Sequence, residues 1–467
     1  MKLPGILVAL LLFLAPLPVA DEVDAYIQAE MKTQQIPGLA LAVARHGRLV
    51  KVQGYGVADL DNDVPVTPDT VFELASITKQ FTASLIMMLV EDQKLRLDDK
   101  LSSFLVDPPD AWKAITIYQL LTHTAGLAPL GDDFKSMVWR TSVSTADLYA
   151  AARNDPMGSA PGAAWSYSDV GYFLLGMVIE KVTGQRYQDV LSQRILEPLN
   201  MTSSRMLDHL RPLKHLAKGY TVRADPAANG ARSVVNIRRV VNVELAPHYG
   251  LFSTVKDLAK WDAALYTEKP LKQASLEQMW TPARMNNGSA RPYGFGWELS
   301  QKHGHKVVGH SGLTGTYILR VRDMGLTVIV LTNLGAWTGG RSTGANARKI
   351  AADIAELLGP ELKREPMSDR DPEVTSKVRA LVGGLREGAL DRSLVSPELA
   401  KALSAEMDGI RRYFTRFGTV ESVVLLDRFD NAGERVFVYR LASSSTSRIF
   451  EVRVGPGGTF TYFEPED

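Results

Sequence analysis

The 467-residue sequence contains no cysteine. That excludes disulfides, a thiolate nucleophile and lipid attachment to an N-terminal cysteine. Net charge is nearly absent, since 53 basic and 52 acidic side chains leave +1. No electrostatic case exists for nucleic acid or an anionic membrane surface as a partner. Past the N-terminal segment no apolar run approaches the roughly 20 residues of a membrane span, so no stable span is expected. Internal repeats and low-complexity tracts are also missing. Histidine is scarce, with 8 in all, and His310 is the last of them. Residues 372–467 hold no histidine and no nucleophile-and-base set.

What is present is ordinary for a globular protein with a large core: 45% apolar and 22% charged residues. The length suits two or three domains. Met1 to Ala20 reads as a secretory signal, with Lys2 as the positive n-region, Ile6 to Ala15 as the apolar h-region and a cut after Ala20. The expectation is a soluble, exported protein, periplasmic or released, with an uncleaved anchor as the lesser alternative.

Val23 to Thr33 reads as a helix. Gly38 to Arg45 and Leu49 to Val57 read as a hairpin turned at His46-Gly47. From there to about Leu265 the pattern is mostly helical: Ile117–Thr122, Ser144–Ala152, Asp169–Val182 and Tyr187–Ile195. Strands return at Tyr293–Leu299, Lys306–His310, Thr316–Val321 and Leu326–Thr332, followed by a helix, Ala345–Leu358. Strands at both ends with helices between predict an α+β fold. One antiparallel sheet is flanked by helices, with a helical subdomain inserted at about 80–290 and the whole unit spanning 21–358. Residues 359–371 read as a linker. Residues 372–467 read as a small accessory α+β domain, with helices at Asp371–Glu387 and Ser396–Phe414 before four strands.

Chemistry concentrates at Glu73-Leu74-Ala75-Ser76-Ile77-Thr78-Lys79-Gln80. Phe81, Leu85, Met88 and Leu89 recur at helical spacing after it. A serine at the mouth of a helix meets free backbone N–H groups and the positive end of the dipole. Lys79 lies one turn on, on the same face. A hydroxyl needs a base within reach to become a nucleophile, and a desolvated lysine can serve. Serine before a helix is also a common cap. Ser-x-x-Lys arises about once or twice by chance in a chain this long. Its second copy, Ser253 to Lys256, reads as structural, with Thr254 and Asp257 as a capping box for a helix Leu258–Leu265.

Two further motifs follow, Tyr167-Ser168-Asp169 and His310-Ser311-Gly312. With Ser76-Ile77-Thr78-Lys79 they make the chain resemble the serine β-lactamase and penicillin-binding-protein-like hydrolases. The resemblance is to the class C-type branch with its esterases and D-amino-acid-specific peptidases, and covers about Val23 to Leu358. Supporting segments are Gly54-Tyr55-Gly56, His123 to Leu127, Glu197 to Thr202, Gly250 to Thr254 and Tyr293 to Trp297. The resemblance implies that Ser76 attacks the carbonyl. Lys79 and Tyr167 would share the proton, with Tyr167 as the main base. The backbone N–H groups of Ser76 and Leu313 would form the oxyanion hole, and Asp169, His310, Ser311 and Gly312 would bind substrate. A tyrosine with a pKa near 10 is a poor base at neutral pH, so the Lys79 cation is expected to lower it.

Other matches read as structural: Tyr187-Gln188-Asp189 as core packing, and His248-Tyr249-Gly250, which precedes a loop into a helix. His303-Gly304-His305 reads as a surface turn. No metal or cofactor is expected.

Two departures bear on substrate. The second motif ends in Asp169 where the family usually has asparagine, and a carboxylate there favours a charged Lys79. The third begins with His310 where β-lactamases and carboxypeptidases usually have lysine, so a fixed cation for a substrate carboxylate is lost. The expected activity is cleavage of small esters or D-amino-acid amides and peptides through an acyl-enzyme. A β-lactamase, a D-alanyl-D-alanine carboxypeptidase, a slowly deacylating penicillin-binding sensor and a scaffold with a dead site remain as alternatives. The sequence leaves the oligomeric state open.

Overall fold

The computed structural model describes residues 19–128, 143–206, 208, 211–224, 232–237, 243–336, 344–431 and 433–465. The apolar stretch Ile6–Ala15 of the expected leader lies outside them. Among the described residues no helix is long and apolar enough to cross a membrane.

Helix α1 (Val19–Gln34) leads into strands β1 (Gly38–Arg45) and β2 (Arg48–Asp59). His46 and Gly47 both take positive φ, 46° and 72°, as a two-residue hairpin turn requires. Helix α2 (Thr78–Glu91) follows the Ser76 turn, then α3 (Asp169–Thr183) and α4 (Val255–Ala264). Strands β3 (Glu298–Lys302), β4 (His305–Gly312), β5 (Thr316–Val321) and β6 (Leu326–Thr332) complete the sheet, and α5 (Ala347–Leu358) packs back on it. The antiparallel order is β3-β4-β5-β6-β1-β2, with the short pair Val64–Pro65 at the far edge. As the sequence pattern predicts, β1 joins β6, so strands from before and after the helical stretch share one sheet.

The alternation in β1 explains how both faces are covered. Leu39, Leu41 and Val43 pack with α1 and α5. The intervening Ala40 and Ala42 face the opposite core, which holds Phe81, Leu258 and Trp261. Large residues on one face and small ones on the other let α4 sit close to the sheet. Helix α2 is buried on every side from Thr78 to Leu89, so it is the central helix and not a surface one.

Three boundaries differ from expectation. Tyr293 to Trp297 is no strand. Gly294 and Gly296 make it a close-packed loop, since a Cβ on Gly294 would lie 1.9 Å from the Met279 carbonyl oxygen, and Gly296 has φ 74°. Strand β3 therefore starts at Glu298. Helix α4 begins at Val255 with Thr254 as cap, but the capping box is one-sided. The Asp257 carboxylate is engaged instead by Ser203, Ser204 and Lys260. The stretch Ser396–Phe414 is broken at Glu406 into two helices.

A separate core follows, built from α6 (Pro372–Glu387), α7 (Pro397–Ala405), α8 (Met407–Phe417) and the antiparallel strands β7 (Ser422–Asn431), β8 (Glu434–Ala442), β9 (Ser447–Val454) and β10 (Phe460–Pro465). The connecting residues 359–371 are packed, with Leu362 buried and the Met367 N–H donating to the Leu425 carbonyl. The small unit also meets the edge strand of the large sheet beside the β3–β4 turn, where the His303 N–H donates to Asp427 at 2.8 Å.

Candidate active site

Ser76 sits in a single 3₁₀ turn, Ala75–Ile77, that runs directly into α2. Ala75 is left-handed, with φ 48°. A non-glycine residue held there costs about 1–3 kcal/mol and persists only where its surroundings force it. They do: the Leu74 N–H donates to Leu251, and Thr78 Oγ1 donates to the Ala75 carbonyl. From the other side Thr314 and Thr316 donate their hydroxyls to the carbonyls of Glu73 and Leu74. Gly312 allows this approach, because a Cβ there would lie 2.3 Å from the Leu74 oxygen. The end of β4 and the following Leu313 are thereby brought against the serine turn.

Lys79 is fully buried. Its Nζ donates to Ser76 Oγ at 3.1 Å, to Asp169 Oδ1 at 2.5 Å and to the His248 carbonyl at 2.9 Å. Three acceptors match the three N–H bonds of an ammonium, so this geometry suits the charged resting form. Burial nevertheless lowers the Lys79 pKa, and Asp169 opposes that only in part. For Asp169, burial raises the pKa, but the neighbouring Lys79 leaves it lowered overall. Asp169 opens α3, where the helix dipole also favours a carboxylate.

Tyr167 does not behave as the sequence led us to expect. Burial and the Asp169 charge raise its pKa well above 10, and a contact with Ser76 only moderates this. Its hydroxyl is buried without a well-formed hydrogen bond among the described residues. Lys79 Nζ lies over its ring, 4.7 Å from the centroid. Burial and Asp169 thus bias the phenol toward its protonated form, while burial biases Lys79 toward losing its proton.

The third motif is closed on itself. His310 is buried, and burial lowers its pKa. Its Nδ1 lies 2.8 Å from the Ser311 carbonyl, which can only accept, so Nδ1 carries the proton. Nε2 then accepts from the Tyr293 hydroxyl at 2.9 Å. Ser311 Oγ donates to Glu298 Oε1 at 2.9 Å, and Arg348 engages the other carboxylate oxygen.

The structure thus gathers Ser76, Lys79, Tyr167, Asp169, His310, Ser311 and Gly312 at one place. The other sequence matches separate from them as expected. Tyr187 is a core residue hydrogen-bonded to Thr82, Ser253 bonds Ser204, and His303-Gly304 turns the β3–β4 hairpin with φ 51° and 81°. His248 is a partial exception. A short strand, Leu251–Ser253, follows it, and its carbonyl belongs to the Lys79 shell. Glu298 and Tyr293 were missed as site residues. Glu298 meets Ser311 across the β3–β4 pairing and Tyr293 reaches His310 from the loop before β3, contacts that no local pattern encodes.

The Beta-lactamase family profile matches residues 23–353. Penicillin-binding protein 4* of Bacillus subtilis (strain 168) is 32% identical over 312 residues, 64% of this chain and 68% of that protein. The chain spans about two thirds of the length of the curated relatives it matches. The octameric penicillin-binding protein homologue from Pyrococcus abyssi superposes with a TM-score of 0.62 at 24% identity, over 93% of this chain and 90% of that one. D-amino acid amidase from Ochrobactrum anthropi SV3, in complex with D-phenylalanine, gives 0.62 at 24% identity, over 73% and 99%. At these identities the two structural likenesses concern the fold.

Proposed function

The chain belongs to the beta-lactamase family, and on that premise we propose that it is a hydrolase that forms an acyl-enzyme on Ser76 and cleaves esters or D-amino-acid amides. The observation that carries the reaction is the fully buried Lys79 amine 3.1 Å from Ser76 Oγ. Neutral Lys79 takes the serine proton as Ser76 attacks the carbonyl carbon. The backbone N–H groups of Ser76 and Leu313 stabilise the oxyanion, each worth roughly 10²–10³ in rate. Tyr167, still protonated, gives its proton to the leaving oxygen or nitrogen. The resulting phenolate takes a proton from water as that water attacks the acyl carbon, and Lys79 returns its proton to Ser76.

The substrate preference rests on the third motif. His310 is neutral and spends its one N–H on a carbonyl, and Ser311 spends its hydroxyl proton on Glu298. No cation and no free side-chain donor of that motif remains for the carboxylate of a penicillin or a peptide terminus. Export guided by residues 1–20, and a catalytic unit at 21–358 with an accessory unit at 372–467, belong to the same proposal. It is tested by comparing kcat/KM for p-nitrophenyl butyrate with that for a chromogenic cephalosporin. The ester is expected to be the better substrate, and efficient cephalosporin turnover would refute the preference.

A further inference from the structure

His123 grips Tyr167 from two directions. The His123 carbonyl accepts from the Ser166 N–H at 2.9 Å. Its ring Nδ1 accepts from the Ser168 N–H at 3.0 Å. Tyr167 is the residue between those donors, and its ring lies beside the imidazole with centroids 4.4 Å apart and planes at 35°. One residue therefore ties down the backbone on both sides of Tyr167, at Ser166 and at Ser168, and lies against one side of its phenol.

Three features show that this arrangement is held against local preference. His123 is left-handed, with φ 58°, which is unfavourable for a side chain with a Cβ. It is 2% exposed. Because Nδ1 accepts, the proton sits on Nε2, which has no hydrogen-bond partner among the described residues. The ring is enclosed instead by Tyr293, Tyr172 and Trp165, with centroids at 4.7, 5.1 and 6.1 Å. Burial, and then the Lys79 charge, push its pKa well below the usual histidine value. The imidazole stays neutral, and Nδ1 keeps its lone pair for Ser168. Strain of this kind gathers where a geometry is functionally required.

We propose that His123 is a positioning residue that sets the Tyr167 hydroxyl for proton transfer at Ser76. This rests on the proton-carrying role given to Tyr167 above. The test is a double-mutant cycle of His123→Asn and Tyr167→Phe with p-nitrophenyl butyrate. Asparagine tolerates the left-handed backbone, and its Oδ1 occupies the place of Nδ1, so the Ser168 bond survives while the ring contact is lost. A misplaced catalytic group costs up to roughly a hundredfold. His123→Asn is therefore expected to lower kcat about tenfold or more with KM nearly unchanged. In the Tyr167→Phe background the same change should have no further effect, because the group it positions is gone. Multiplying losses in the double variant would overturn the positioning role, as would a fully active His123→Asn enzyme. Full activity of Tyr167→Phe alone would instead overturn the reading of Tyr167. Should the asparagine variant fail to fold, His123→Gly accepts the same φ and runs the same cycle.

Discussion

Asp169→Asn isolates the electrostatics of the reaction. The variant keeps an oxygen acceptor for Lys79 Nζ, now 2.5 Å from Asp169 Oδ1, and removes the charge. In the native site burial lowers the Lys79 pKa and Asp169 partly offsets it. Without the carboxylate only the lowering remains, so the neutral amine appears at lower pH. Two unit charges 4 Å apart are worth about 4 kcal/mol at an effective dielectric of 20. The Asp169 side chain is 22% exposed. Solvent screening and the residual amide dipole reduce the effect, and about 2 kcal/mol is a conservative share. At roughly 1.4 kcal/mol per decade, kcat/KM on the rising acid limb should increase about tenfold or more relative to the plateau. Asp169 also raises Tyr167, so the falling alkaline limb should move to lower pH as well. The assay is the pH dependence of kcat/KM for p-nitrophenyl butyrate in both enzymes, with thermal melts confirming the fold. An acid limb that stays in place or moves to higher pH would refute Lys79 as the base.

Two other substitutions probe how the site and the sheet behind α4 are held. Gly296→Ala places a Cβ 2.6 Å from the Lys79 carbonyl oxygen at a residue with φ 74°. Strain of about 1–3 kcal/mol is expected at that φ alone, with a larger fractional loss in kcat than in KM, read from steady-state kinetics and urea unfolding. Arg320→Met removes the partner of Asp262, a buried pair at 2.6 Å that also takes the Thr327 hydroxyl. Leaving that carboxylate uncompensated should cost about 3–5 kcal/mol in denaturant unfolding. The double variant Arg320→Met, Asp262→Leu should recover most of it.

Much of the fold was legible because its signals are local. The β1 and β6 runs, the glycines of the hairpin turns and the periodicity of Asp169–Val182 all survive into the structure. The Tyr293–Trp297 loop was misread as a strand because aromatic residues mimic strand composition. Its glycines serve a close approach to Met279 and Lys79 that only the assembled chain reveals. The site motifs came together as a set through the family resemblance, since Ser76-x-x-Lys79 is a one-turn spacing that also arises by chance and recurs at Ser253. The proton assignment was not legible. Whether Lys79 lowers Tyr167 or burial raises it depends on desolvation and on the Asp169 contact across 90 residues of sequence. Glu298 behind Ser311 and His123 behind Tyr167 are likewise tertiary facts.

The most direct test of the central claim is p-nitrophenyl butyrate hydrolysis by the protein beside a Ser76→Ala variant of verified fold. The account predicts turnover by the native protein and background rates in the variant, with an acyl adduct trapped on Ser76 by rapid quench and peptide mass spectrometry. Equal hydrolysis by both proteins, or an adduct on another residue, would contradict it.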